Sequence, residues 1–203
     1  MKRVPRAVLA LVGVLVLALT GCAGNSASVA AKVGDTTISV ADVEQVGAAA
    51  AALFETGGNP IPADQVNAVA MRGLVVGALL NQTPDKGESL IPASVIAGLT
   101  QPQDTTGADE QQKARAEKYL GQMKALLALP RGADWARGWM LFGQAQTAQA
   151  PYDAMVALVK SQPVTLNPRF GTWDPNAFAG FGNPSGSLSM PMPTPTPTPT
   201  PAP

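Results

Sequence analysis

The side chains best suited to chemistry are few in this sequence. It has no histidine and a single cysteine, Cys22. Imidazole is the commonest general base and a frequent catalytic metal ligand, so both routes lose their usual carrier. No Ser-x-x-Lys dyad, Gly-x-Ser-x-Gly elbow or glycine-rich phosphate loop occurs. The carboxylates are scattered. Asp109 and Glu110 stand together, but at the start of an expected helix, where negative charge complements the dipole. The expectation is a protein that is not an enzyme and takes no metal and no cofactor.

Cys22 has a definite chemical setting. Lys2, Arg3 and Arg6 precede an apolar run from Ala7 to Leu19, which then closes on Leu19-Thr20-Gly21-Cys22. A basic segment followed by a short apolar run is the layout of an export signal, and it is too short for a permanent spanning helix. Its end matches the lipobox of bacterial lipoprotein signals. There, small residues let the processing enzyme reach the backbone and the thiol takes lipid. Cleavage between Gly21 and Cys22 is therefore expected, with lipid on Cys22 holding the chain to the extracytoplasmic face of the cell membrane. Each buried methylene contributes about 0.8 kcal/mol, so two or three acyl chains give near-permanent attachment. An ordinary signal with a chance cysteine is the competing reading.

Loss of residues 1–21 removes three of the 14 basic residues and none of the 14 acidic ones. The remainder is mildly acidic without a basic patch, so nucleic acid is not an expected partner. Lipid on the only thiol rules out an intrachain disulfide, and stability must come from an apolar core. Abundant alanine and few aromatics favour closely packed helices.

What is left for function is binding surface. Trp135, Trp139, Met140 and Phe142 are close in sequence, with Tyr152 and Met155 following. Flat aromatics and flexible methionines suit adaptable contact with apolar segments. Trp135, Trp139, Phe142 and Met155 are the candidate peptide-binding residues. The opposing reading makes them ordinary core, and burial of all three aromatics would remove the surface. Arg169 reads as a surface charge that pairs with an acidic residue or meets a partner.

The elements that must position these residues follow from punctuation and periodicity. Residues 22–28 read as a tether. Val29 to Ser39 alternates around Val33-Gly34-Asp35-Thr36, a hairpin turn with Gly34 at the position that takes positive φ. Ser39 and Asp42 form a capping box for a helix with Val40, Val43, Val46, Ala50, Leu53 and Phe54 on one face. Further helices are expected at about Pro62–Gln82, Ala93–Thr100, Ala108–Leu129 and Ala133–Gln149. A sixth is opened by Pro151, with Tyr152, Met155, Val156 and Val159 inward. Val164 to Leu166 reads as a strand, kept to an edge by Pro168, which pairs with the N-terminal hairpin. The fold class is therefore mostly α, with five or six helices and a small sheet joining the two ends of a domain at 29–182. Residues 183–203 end in a Pro-Thr repeat that reads as an extended, solvated tail, with sugars on its threonines as the sharper alternative.

Two stretches carry a family resemblance. Ala30-Ala31-Lys32-Val33-Gly34-Asp35-Thr36-Thr37-Ile38-Ser39-Val40-Ala41-Asp42-Val43 resembles the opening of the SurA N-terminal domain family: a strand, a glycine turn, an isoleucine and a Ser-capped helix. Val164-Thr165-Leu166-Asn167-Pro168-Arg169-Phe170-Gly171-Thr172-Trp173-Asp174 resembles the end of small actinobacterial lipoproteins with that domain. The helices between agree in type and order. The resemblance implies extracytoplasmic, chaperone-like binding of unfolded or extended polypeptides. Relatives such as SurA and the PrsA foldase add a parvulin-type prolyl isomerase domain. This chain has neither the room nor the histidines for one, so isomerase activity is not carried over. The expectation is a lipid-anchored protein that buries client segments in an apolar groove. The alternative is a structural or scaffolding envelope lipoprotein that docks a single protein partner.

Overall fold

The computed structural model describes residues 28–182. The signal segment, Gly21 and Cys22 with the tether up to residue 27, and the tail from residue 183 lie outside the described residues. The expected mostly α architecture is found: six helices and a small three-stranded antiparallel sheet.

The sheet joins the two ends of the described chain. Strands β1 (Val29–Val33) and β2 (Thr36–Ser39) form the hairpin, closed by the Val33–Thr36 pair with Gly34 at φ 50°. Positive φ is open to glycine at no steric cost, which is why the turn falls there. Strand β3 (Val164–Leu166) pairs with the other side of β1, giving the order β2-β1-β3. Asn167 extends this ladder, with its N–H donating to Ala30 O at 2.8 Å and Nδ2 donating to Val29 O at 3.1 Å. The chain then leaves at Pro168, whose missing N–H costs nothing on an edge strand.

Helix α1 (Val40–Thr56) starts at the Ser39 capping box: Asp42 N–H donates to Ser39 Oγ at 3.0 Å and Ser39 N–H donates to Asp42 Oδ2 at 2.8 Å. Two of the helix's orphan donors are thereby satisfied. Residues Ala63–Gln65 make a 3-10 turn before helix α2 (Val66–Asn81), so this helix starts later than its pattern suggests. Pro62 holds the extended backbone that precedes the turn. Helices α3 (Ala93–Gly98), α4 (Glu110–Leu127), α5 (Gly132–Ala145) and α6 (Gln149–Ser161) follow. Asp109 caps α4 through a second capping box with Gln112.

Helix α2 is buried on nearly every side, as its almost uninterrupted apolar sequence requires. Its closest neighbour is α5. A methyl on Gly77 would overlap the Asp134 carbonyl, and one on Gly138 would overlap Gly73 O and Gly77 N. The two backbones touch because none of these three positions carries a side chain. Polar links frame the crossing: Asn81 Nδ2 donates to Asp134 Oδ1 at 2.7 Å, and Arg131 pairs with Asp134 at 3.0 Å and donates to Thr37 O on β2 at 3.1 Å.

One expected inward residue is not inward. Tyr152 stays 40 % exposed, while Met155 and Val159 of the same helix are buried. The helix begins at Gln149, two residues ahead of Pro151, and Tyr152 lies in its first turn, where its ring stacks flat on Phe178 rather than entering the core.

Candidate functional site

The candidate aromatics sit mainly on α5, whose periodicity splits them between two environments. Gly138 and Leu141 face α2 and the core. Trp139 and Met140 are half-buried and turn toward α1 and α4. A cleft of about 420 Å³ opens there. Leu53 and Phe54 of α1 form one wall, Tyr119 and Met123 of α4 another, and Leu99 closes the end. Trp135, Trp139 and Met140 supply the α5 side. The lining is almost wholly apolar, so the cleft can take apolar side chains but has few groups to direct a hydrogen bond.

Each candidate residue has a distinct place. Trp135 is only 2 % exposed and forms the floor; its Nε1 donates to Val69 O at 3.3 Å. Trp139 stacks on it with ring centres 5.8 Å apart and planes 6° from parallel, and meets Phe54 edge-on at 5.6 Å. Phe142 lies beyond Trp139 at 5.4 Å, outside the cleft but on the same row of rings. Met155 is 0 % exposed. It is core under α6 and cannot contact a partner while the fold is intact. Three of the four candidates therefore form one continuous row of stacked rings, with Trp135 buried beneath Trp139, and Met155 does not belong to it.

The row continues into residues whose sequence signal was weak. Phe178 packs on Phe142 at 5.5 Å and on Tyr152 at 5.4 Å, the second pair lying 7° from parallel. Phe178 and Phe181 fall in a glycine-rich stretch with no helical period, so no pattern pointed to them. Arg72 lies behind the row, with its guanidinium 4.8 Å from the Phe142 ring centre and 5.7 Å from that of Phe181. Burial pulls the Arg72 guanidinium below its ordinary pKa. It is the one charge in α2, a signal that was legible in the sequence and went unread.

Elsewhere several charged groups have structural partners. Arg169 pairs with Glu44 at 3.5 Å and lies over Phe170, matching the surface-charge reading. A second cleft of about 400 Å³ beside the end of α1 is lined by Glu55, Thr56, Gln111, Arg115 and Lys118. Its charged side chains are exposed, and water competes for every contact they make. Among the described residues no three His, Cys, Asp or Glu side chains gather as a metal-holding group, and no helix is long and apolar enough to cross a membrane. No family model, no curated protein and no solved structure matches this chain.

Proposed function

We propose that this protein is a non-catalytic, lipid-anchored binder of unfolded or extended polypeptide segments on the extracytoplasmic face of the membrane. The observation that carries the reading is the apolar cleft between α1, α4 and α5, with Trp139 and Met140 half-exposed on its wall. A client side chain entering it loses water-exposed apolar area, worth about 25 cal/mol per Å². Because the lining is apolar, selectivity follows size and shape rather than directed hydrogen bonds, which suits many weak clients. The resemblance of residues 30–43 and 164–174 to the SurA N-terminal domain family supports the same reading. The lipobox ending at Cys22 supports the anchored location.

The test is aggregation of several unrelated unfolding proteins, followed by light scattering with the mature chain at equimolar ratio. Suppression is expected for the native chain. Met140→Glu places a charge on the cleft wall and is expected to abolish suppression while leaving the far-ultraviolet circular dichroism unchanged. A folded native chain that protects no client sinks the general chaperone reading. Co-purification of one protein in fixed stoichiometry would then favour the scaffolding alternative. Intact mass after globomycin treatment, which blocks cleavage before a lipidated cysteine, tests the anchor at Cys22: an unshifted mass would exclude it.

A further inference from the structure

The chain after Phe170 forms a small unit of its own. Gly171 has φ 115°, and strands β4 (Thr172–Trp173) and β5 (Phe181–Gly182) pair with each other rather than with the main sheet. Between them, Asp174 N–H donates to Gly180 O at 2.8 Å, Ala177 N–H to Asp174 O at 3.0 Å and Gly180 N–H to Ala177 O at 2.9 Å. Gly180, at φ 75°, lies directly under the Trp173 ring, where a methyl would overlap the indole. Among the described residues, every hydrogen bond of 172–182 stays within the segment, and none of its side chains makes an ion pair. Its hold on the rest of the protein is side-chain packing: Phe178 on Phe142 and Tyr152, Phe181 against Arg72, and Trp173 against the edge of the core.

This segment covers the continuation of the cleft. Trp139 lines the cleft, Phe142 stacks on Trp139, and Phe178 sits on Phe142. Removing the segment would uncover Phe142, next to Trp139 in the row running out of the cleft, and the Tyr152 face on which Phe178 now stacks. Arg72 would lose one of its two rings and break no ion pair, since it makes none among the described residues. A unit with internal hydrogen bonds and only packing contacts outward can separate whole, without exposing unpaired backbone groups. Gly171 supplies the pivot: nothing lies within 4 Å of where its Cβ would be.

We propose that residues 172–182 are an autoinhibitory strap, which pivots at Gly171 and lifts off Phe142 and Tyr152 when an extended polypeptide segment enters the cleft and continues along the row. This regulation rests on the reading of the cleft as a polypeptide site. The strap occupies part of the client surface in the resting chain, so a client must displace it. Affinity is reduced by the fraction of chains in which the strap is seated.

The experiment uses the full chain and a fluorescein-labelled peptide of about twelve residues alternating leucine and serine, an extended apolar probe. Phe178→Ser/Phe181→Ser removes the strap's contacts with Phe142, Tyr152 and Arg72, and so weakens its hold. The double variant is expected to bind the probe about tenfold more tightly than the native chain. In the native chain the Tyr152 ring resonances are expected to move on probe binding toward their positions in the double variant, because Phe178 no longer stacks on them. Equal affinity in the two chains, or probe binding that leaves the Tyr152 resonances unmoved, overturns the strap and leaves the cleft reading standing. Failure of both chains to bind the probe removes the strap together with the cleft reading. If the double variant does not fold, Phe181→Ser keeps the Phe178 stack and is expected to give a smaller gain; no gain overturns the strap.

Discussion

Helix α5 has two faces that solve opposite problems. On one, Gly138 and the Asp134 backbone press against Gly73 and Gly77 so closely that no methyl fits. On the other, Trp139 and Met140 border a cleft of about 420 Å³. The first face is fixed by backbone contact and fully buried apolar neighbours. The second is made of large side chains with free volume beside them. Close packing makes an interior rigid and sensitive to a single methyl group, whereas free volume beside large side chains allows a guest. The close crossing is the platform on which the aromatic row stands.

The contrast can be broken at its tight side with the largest effect. Trp135→Ala empties the floor shared by both faces and is expected to cost about 3–5 kcal/mol, read from chemical denaturation. A loss under about 1 kcal/mol would mean that the floor collapses freely and that the two faces are not held apart. Gly138→Ala is expected to cost about 3 kcal/mol, at the upper end of overpacking, because the obstacle is backbone rather than a flexible side chain. Gly143 sharpens the comparison, since it lies on the same helix with nothing within 4 Å of a notional Cβ. Gly143→Ala is expected to stabilise by about 0.5–1 kcal/mol through the loss of unfolded-state freedom. Similar changes for Gly138→Ala and Gly143→Ala would show that the helix crossing is looser than described.

The smallest expected effect lies away from both faces. Asp85 holds the loop after α2, accepting from Ser89 N–H at 2.9 Å, Thr83 Oγ1 at 2.9 Å and Gly87 N–H at 3.0 Å. Hydrogen bonds, led by that to Ser89, hold its carboxyl below the usual carboxylate range. A depressed pKa contributes stability above the unfolded value of about 3.9, and that contribution is lost as pH falls below it. The protection factor at Gly87, taken against the intrinsic exchange rate at each pH, is therefore expected to fall progressively below about pH 4, while that at the α2–α5 crossing changes little. Equal loosening at both places would show that the loop and the crossing open together.

Much of the skeleton was legible because local chemistry dictated it. The Gly34 turn, the Ser39–Asp42 capping box and the order of six helices each follow from a residue type at a fixed position, and the return of Val164–Leu166 follows from the marginal stability of a lone hairpin. The aromatic cluster was legible as a cluster but not as a surface. Trp135, Trp139 and Phe142 recur at helical spacing whether they line a cleft or fill a core. Met155 shares their character and is wholly buried. Phe54 and Phe178 reach the row, and Tyr119 the cleft, from elements far apart in the chain, and no local pattern encodes that meeting.

The sequence by itself determined the element types, the hairpin turn and the helix caps, because caps and turns act between neighbours. Only the tertiary structure decided which face of α5 is closed and which is open. That choice depends on three glycines, Gly73, Gly77 and Gly138, meeting across two helices, and on a row of rings assembled from four parts of the chain. Contacts of that kind arise from the angle and distance of a helix crossing, which the spacing of residues along one helix does not specify.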